Sequence, residues 1–265
     1  MISIFDKFIF NEESSDKYGV RAVFFDRKPD TSYSAGLETD LSTFLNKTNG
    51  TFDIVEQNYS EPLKFTLQII NEDFSNFDTV RERDIKKWLC KRGEYCWFSV
   101  ETEGYENIQW KINMSNPKVL YVAGIVGMEF ECTADAPFGY SSLITKKFEI
   151  TDTNKSVNIY VNTDEDDYIY PYVEISMAGY GDLKITNNTE IEHKNFSLNN
   201  VVSNEVITIN NSLPIIRSSQ NGHNVYSDFN KHWIRLVDGK NVLTFNLNCT
   251  VKIQYREIRK VGVFS

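Results

Sequence analysis

The chain has 265 residues, a formal net charge of −9, 41% hydrophobic and 25% charged residues, the balance of a soluble globular protein with room for one large β domain or two modest ones. The acidic balance excludes the basic footprint that phosphate neutralisation requires, and no apolar run approaches the roughly 20 residues needed to span a bilayer. Aromatic residues at 14%, with 18 Phe and 14 Tyr, favour strands over helices.

Asp6 and Lys7 interrupt the apolar N-terminus, so no signal peptide is expected. Ile4, Phe8 and Phe10, a polar turn at Ser14 to Lys17, and Val20 to Phe25 after Tyr18-Gly19 predict an opening hairpin. From Lys28 to Asn49 the sequence is polar and turn-rich, with Pro29, Gly36 and Gly50 interrupting it, which predicts a long loop or a projecting arm. Such segments either carry contacts or are merely loose, and Lys28, Asp30, Tyr33, Leu37 and Phe44 are its candidates for touching a partner.

Phe65, Leu67 and Ile69 alternate with polar residues and predict a strand. Thr79 and Glu82 then have the spacing of a capping box, and Ile85, Trp88 and Leu89 fall at helical spacing before Lys91-Arg92-Gly93. One amphipathic helix is expected there, with Ile85, Trp88 and Leu89 in the core of the first half. Tyr95 to Val100, Gln109 to Met114, Val119 to Val122 and Met128 to Cys132 read as strands, making the first half an α+β arrangement.

The last of these strands stops at Asp135-Ala-Pro-Phe-Gly-Tyr140. Pro137 fixes φ and donates no amide, and Gly139 permits conformations that other residues resist. Asp135, Pro137, Phe138, Gly139 and Tyr140 therefore predict a stiff corner, read as the hinge between domains 1–138 and 139–265; an ordinary turn is the competing reading. Beyond it, short alternating segments recur at Phe148 to Ile150, Val157 to Val161, Tyr172 to Met177, Leu183 to Ile185, Phe196 to Leu198 and Val206 to Ile209, the pattern of a β-sandwich. Asp238-Gly239, between Leu236-Val237 and Leu243 to Phe245, predicts a tight hairpin, and Val251 to Arg259 predicts a last strand.

Chemistry leaves few signals. Asn162, Asp164 and Asp166 have oxygen-ligand spacing, but no Gly stands at the sixth position and Val173 occupies the closing Glu position, so a solvated acidic loop is expected. Cys90, Cys96, Cys132 and Cys249 lack metal spacing and read as buried free thiols. His193, His223 and His232 are dispersed, with surface placement the default for His193, and Gly179-Tyr-Gly181 joins two strands with no helix to receive phosphate. Trp233 and the run Tyr168 to Tyr172 have faces suited to sugar rings, yet core and interface roles account for them as well. No catalytic residue, metal or cofactor is expected.

Taken in order, Phe8-Ile-Phe10-Asn11 with Tyr18-Gly19-Val20, Arg83 to Leu89, Phe130 to Tyr140, Leu236 to Asn241 and Ile253-Gln-Tyr-Arg256 give a pattern that resembles the distal tail proteins of long-tailed phages and prophages of Gram-positive bacteria. The resemblance runs along the whole chain. It implies a non-enzymatic virion protein, assembled in the host cytoplasm, with an N-terminal belt domain that closes a homo-hexameric ring and a C-terminal galectin-like β-sandwich. Such a ring joins the tail-tube protein to the tail-tip hub, and its axial channel passes tape-measure protein and DNA; an acidic lumen lets DNA slide. Receptor-binding proteins are further expected partners. A carbohydrate-binding module for host attachment is the alternative.

Overall fold

Side-chain alternation builds most of what the computed structural model contains. The described residues are 7–23, 37–192 and 195–262, and the chain forms two units, residues 1–140 with 259–265 and residues 141–258. Both are mostly β, the first with one packed helix and the second a sandwich. No helix among the described residues is long and apolar enough to cross a membrane.

The strands of the first unit are β1 (Phe8–Phe10), β2 (Glu13–Ser14), β3 (Val20–Val23), β4 (Thr39–Asn46), β5 (Thr51–Tyr59), β6 (Lys64–Asn71), β7 (Cys96–Val100), β8 (Ile108–Tyr121) and β9 (Ile125–Ala134), with helix α1 (Thr79–Leu89) between β6 and β7 and β10 (Gly139–Ser141) leading out. The main sheet runs β2-β1-β7-β8-β9-β6-β3, and β10 pairs with β8. Its inner face presents Phe8, Phe10, Leu67, Phe98, Trp110 and Phe130, all fully buried. Helix α1 covers that face with Ile85, Trp88 and Leu89. Trp88 stacks on Tyr18 with ring centroids 4.0 Å apart, lies 5.5 Å from Phe8, and donates its indole N–H to the Phe10 carbonyl at 3.3 Å.

Two expectations for this region give way. The cap of α1 is Asp78, whose carboxylate accepts from the Arg81 amide at 2.8 Å, while Thr79 begins the helix and Glu82 pairs with Lys86 one turn on. An acid one residue earlier satisfies the same orphan donor, so no Thr79–Glu82 box forms. Nor do β1 and β3 make an opening hairpin, because β1 pairs with β2 and β7 and β3 pairs with β6. The Arg81 guanidinium diverts the chain, binding the Tyr18 carbonyl at 2.6 Å, the Gly19 carbonyl at 3.1 Å and Asn71 Oδ1 at 2.6 Å.

The second unit holds β11 (Ile144–Ile150), β12 (Lys155–Val161), β13 (Tyr172–Met177), β14 (Gly181–Asn187), β15 (Asn195–Val201), β16 (Val206–Asn210), β17 (Ile215–Ser218), a short helix α2 (Val225–Asp228), β18 (Gly239–Phe245) and β19 (Cys249–Tyr255). One sheet runs β11-β19-β13-β16-β17, the other β12-β18-β14-β15. Their inward residues, such as Val157, Ile159, Ile175, Leu183, Phe245 and Val251, form one core, as period-two alternation with one solvated face requires. Asp238-Gly239 does not close a hairpin. Leu236 bridges Ile169, and β18 pairs with β12 and β14 instead. Asn241 bonds both the N–H and the C=O of Val237, and Asp238 accepts from the Thr163 amide at 3.0 Å, so side chains use the groups a hairpin ladder would need.

The last strand, β20 (Ile258–Arg259), pairs with β10. Beyond it Val261 belongs to the first unit, where its carbonyl accepts from Trp110 Nε1 at 3.1 Å.

Candidate assembly interface

The segment expected as a loop or arm from Lys28 to Asn49 lies outside the described residues as far as position 36, including Lys28, Asp30 and Tyr33. Its remainder is no loop. Strands β4 and β5 pair antiparallel over their whole length and with no other strand among the described residues. At about 3.3 Å per residue this ribbon is roughly 27 Å long.

Register sorts its side chains. The pairs Leu45↔Phe52, Thr43↔Ile54 and Leu41↔Gln57 share one face, while Phe44↔Asp53, Ser42↔Glu56 and Asp40↔Asn58 share the other, with a bulge at Val55. One face is thus apolar, through Leu41, Leu45, Phe52 and Ile54, and the other carries Asp40, Asp53 and Glu56. Both are exposed, Phe52 at 68% and Ile54 at 64%. A two-stranded ribbon is marginal in water by itself, and contiguous exposed apolar side chains mark an interaction surface. Of the two described candidates, Phe44 sits on the acidic face at 62% exposure, and Leu37 precedes β4, half-buried, with φ 64°. The alternation Leu41-x-Thr43-x-Leu45 and Phe52-x-Ile54 was the available signal for this ribbon; Val55 breaks it.

The base of the ribbon meets the corner. Tyr59 packs edge-on to Phe138 at 5.8 Å, Phe138 to Tyr140 at 5.6 Å, and Tyr140 to Trp97 at 5.6 Å. The Tyr140 hydroxyl donates to Asp135 at 3.2 Å. Burial raises the Asp135 carboxyl above the usual carboxylate range, against the pull of Lys111 3.9 Å away and that hydrogen bond. Burial and the Asp135 charge raise Tyr140 likewise. Gly139 is needed for space: a Cβ there would lie 2.9 Å from Ile108 Cγ2 and 3.0 Å from Trp110 Nε1, and positive φ is not the reason.

In the second unit the acidic segment at 164–167 is a turn, and no group of three or more His, Cys, Asp or Glu among the described residues could hold a metal. Tyr168 is covered by the Arg235 guanidinium, 3.7 Å from the ring centroid, and Arg235 pairs with buried Glu190 at 2.8 Å. Trp233 packs edge-on to Phe229 at 4.8 Å. Of the aromatics considered for sugar stacking, Tyr168 and Trp233 thus pack against their own chain, whereas Tyr170 is 44% exposed. His223 lies between two carboxylates, Nδ1 2.6 Å from Glu205 and Nε2 3.3 Å from Asp228. His193 lies outside the described residues. Cys96, Cys132 and Cys249 are buried, Cys90 is half-buried, and all four thiols are free.

Two family models match in tandem: a phage tail protein N-terminal domain over residues 3–136 and a phage tail C-terminal domain over residues 138–255. The SPbeta prophage-derived uncharacterized protein YomH of Bacillus subtilis (strain 168) is 22% identical over 211 residues, 75% of each chain. Among solved structures, SPP1 Dit (gp 19.1), described as a paradigm of the hub adsorption apparatus of phages infecting Gram-positive bacteria, superposes with a TM-score of 0.64 over 96% of this chain and 99% of its own, at 9% identity. That likeness is one of fold.

Proposed function

The chain belongs to the phage tail protein family, and from that premise we propose that it is a distal tail protein, a structural hub whose copies close into a hexameric ring. The ring joins the tail tube to the tail-tip hub, leaves a channel for tape-measure protein and DNA, and offers its sandwiches to receptor-binding proteins. It acts by assembly and performs no catalysis. The observation that carries this reading is the amphipathic ribbon β4–β5, an apolar face that its own chain leaves open. The fold shared with a hub protein over nearly the whole chain supports it.

A ribbon projecting from one place and received at another makes a heterologous contact, which closes into a ring when the rotation allows. The first unit takes the ring-forming role and the second the decorating role, with the corner at Asp135 to Tyr140 as the hinge. Light scattering on the purified protein, followed by negative-stain imaging, tests the reading. The expected result is a six-copy mass and rings with a central hole. A monomer that stays monomeric at high concentration and in the presence of tail-tube protein overturns it.

A further inference from the structure

Beside the corner the first unit leaves a groove that plays no part in the proposed ring. It has a volume of about 260 Å³ and opens between the segment joining β5 to β6 and the residues that follow β9, with Tyr59, Glu61, Pro62, Tyr95, Asp135 and Pro137 in its lining. The two prolines hold the backbone stiff on either side, and Ala134 and Ala136 are too short to fill the space between. Pockets that enclose a whole small molecule run from roughly 300 to 1,000 Å³, so this one is of a size for a single side chain.

The lining is rich in acceptors and poor in donors. Pro62 and Pro137 have no amide proton, and the amides of Ser60, Ala134 and Asp135 already donate to the carbonyls of Glu38, Leu63 and Lys111, each at 2.9 Å. Its charged side chains are Glu61 and Asp135, both acidic. A sugar brings acceptors along with its donors and matches such a lining poorly. A cation that only donates matches it well.

Both carboxylates have capacity left for such a group. Asp135 Oδ1 accepts from the Tyr140 hydroxyl at 3.2 Å, while Oδ2 has Lys111 3.9 Å away, beyond hydrogen-bond reach. Burial weighs against the Asp135 charge, and a further cation beside it would favour the ionised form. Glu61 pairs with Lys64 at 2.6 Å, an exposed contact that costs little to exchange. Neither lysine lines the groove. Tyr59 and Tyr95, 37% and 47% exposed, add aromatic rings whose negative faces attract cations. Arginine suits this combination better than lysine, because its planar guanidinium stacks on a ring while its N–H donors reach carboxylates at the edge.

We propose that this groove seats an arginine side chain of a protein partner, its guanidinium stacked on a tyrosine ring and bonded to Asp135 and Glu61. The site is separate from the apolar face of the ribbon, and it does not depend on copies of the chain closing into a ring.

Ligand-observed NMR titration of the purified full chain tests the site with three probes. N-acetyl-arginine amide is the blocked form of an arginine residue, N-acetyl-citrulline amide keeps its shape and loses the charge, and N-acetyl-lysine amide keeps the charge and loses the plane. The arginine probe is expected to bind saturably, and the other two more weakly by about tenfold or more. Asp135→Asn and Tyr95→Ala should each weaken the arginine probe by about tenfold. Tyr95 is exposed, so Tyr95→Ala keeps the wild-type Tm and remains readable even where Asp135→Asn disturbs the corner. Affinity for the arginine probe should also fall as pH drops through the carboxylate range, since protonation removes the Asp135 charge. No saturable binding, equal binding of citrulline or lysine, or wild-type affinity in Tyr95→Ala overturns the proposal.

Discussion

At the scale of single residues, each unit depends on a buried group with several partners. Trp88 sits beneath the main sheet, stacked on Tyr18 and bonded to the Phe10 carbonyl. Trp88→Ala leaves a cavity beneath the sheet, so the first unit should lose about 3–5 kcal/mol, read as a shift of its denaturant midpoint. In the second unit Glu205 is fully buried. Burial opposes its charge, but hydrogen bonds from Ser218 Oγ, the Val202 amide and His223 outweigh it and hold the carboxyl below its ordinary value of 4.5. A depressed folded value means the unfolded chain takes up the proton first as pH falls. The stabilisation is therefore fully present at neutral pH and is lost below about pH 4.5, as pH falls through the folded value. Calorimetry from neutral to acid pH should show Glu205→Gln with a lower Tm at pH 7 and a flatter decline on acidification. Parallel curves for the two proteins would remove Glu205 from acid unfolding.

Elements behave as cooperative pieces, and the corner and the ribbon make opposite predictions. At the corner, Gly139 lies against Ile108 and fully buried Trp110, so Gly139→Ala must displace one of them; a loss of about 1–3 kcal/mol in thermal or denaturant unfolding is expected. On the ribbon, Leu41 and Phe52 are exposed, so Leu41→Asp with Phe52→Asp should leave Tm within about 1 kcal/mol-equivalent of wild type while abolishing ring assembly. A collapse of Tm would mean the ribbon is part of the core. The same contrast explains what the amino-acid order revealed. Strands such as Val157–Val161 and the stripe Ile85, Trp88, Leu89 are legible because burial on their own unit enforces a period. The ribbon hid because its apolar face is exposed and no burial on its own unit enforces a period, its strands are diluted with Thr, Ser and Asn, and Val55 interrupts the count. Asp238-Gly239 misled for another reason: the partners of β18 are β12 and β14, distant in sequence, and turn chemistry says nothing of distant pairing.

For the whole molecule, the proposed ring raises the question of how copies of an acidic chain would associate. Each carries a net charge of −9, and like-charged copies repel at long range. The Debye length is about 8 Å at physiological salt and about 3 Å at 1 M, so screening removes repulsion between copies, while the attraction of buried apolar side chains persists. A ring held by the apolar ribbon face, Leu41, Phe52 and Ile54, should therefore keep its equilibrium mass at about 1 M salt and assemble faster as the repulsion is screened. Light scattering of preformed rings, and stopped-flow mixing of dissociated protein, separate the two quantities. Rings that dissolve at high salt would make the contact electrostatic. Rings that survive and assemble faster fit an apolar contact formed against net repulsion.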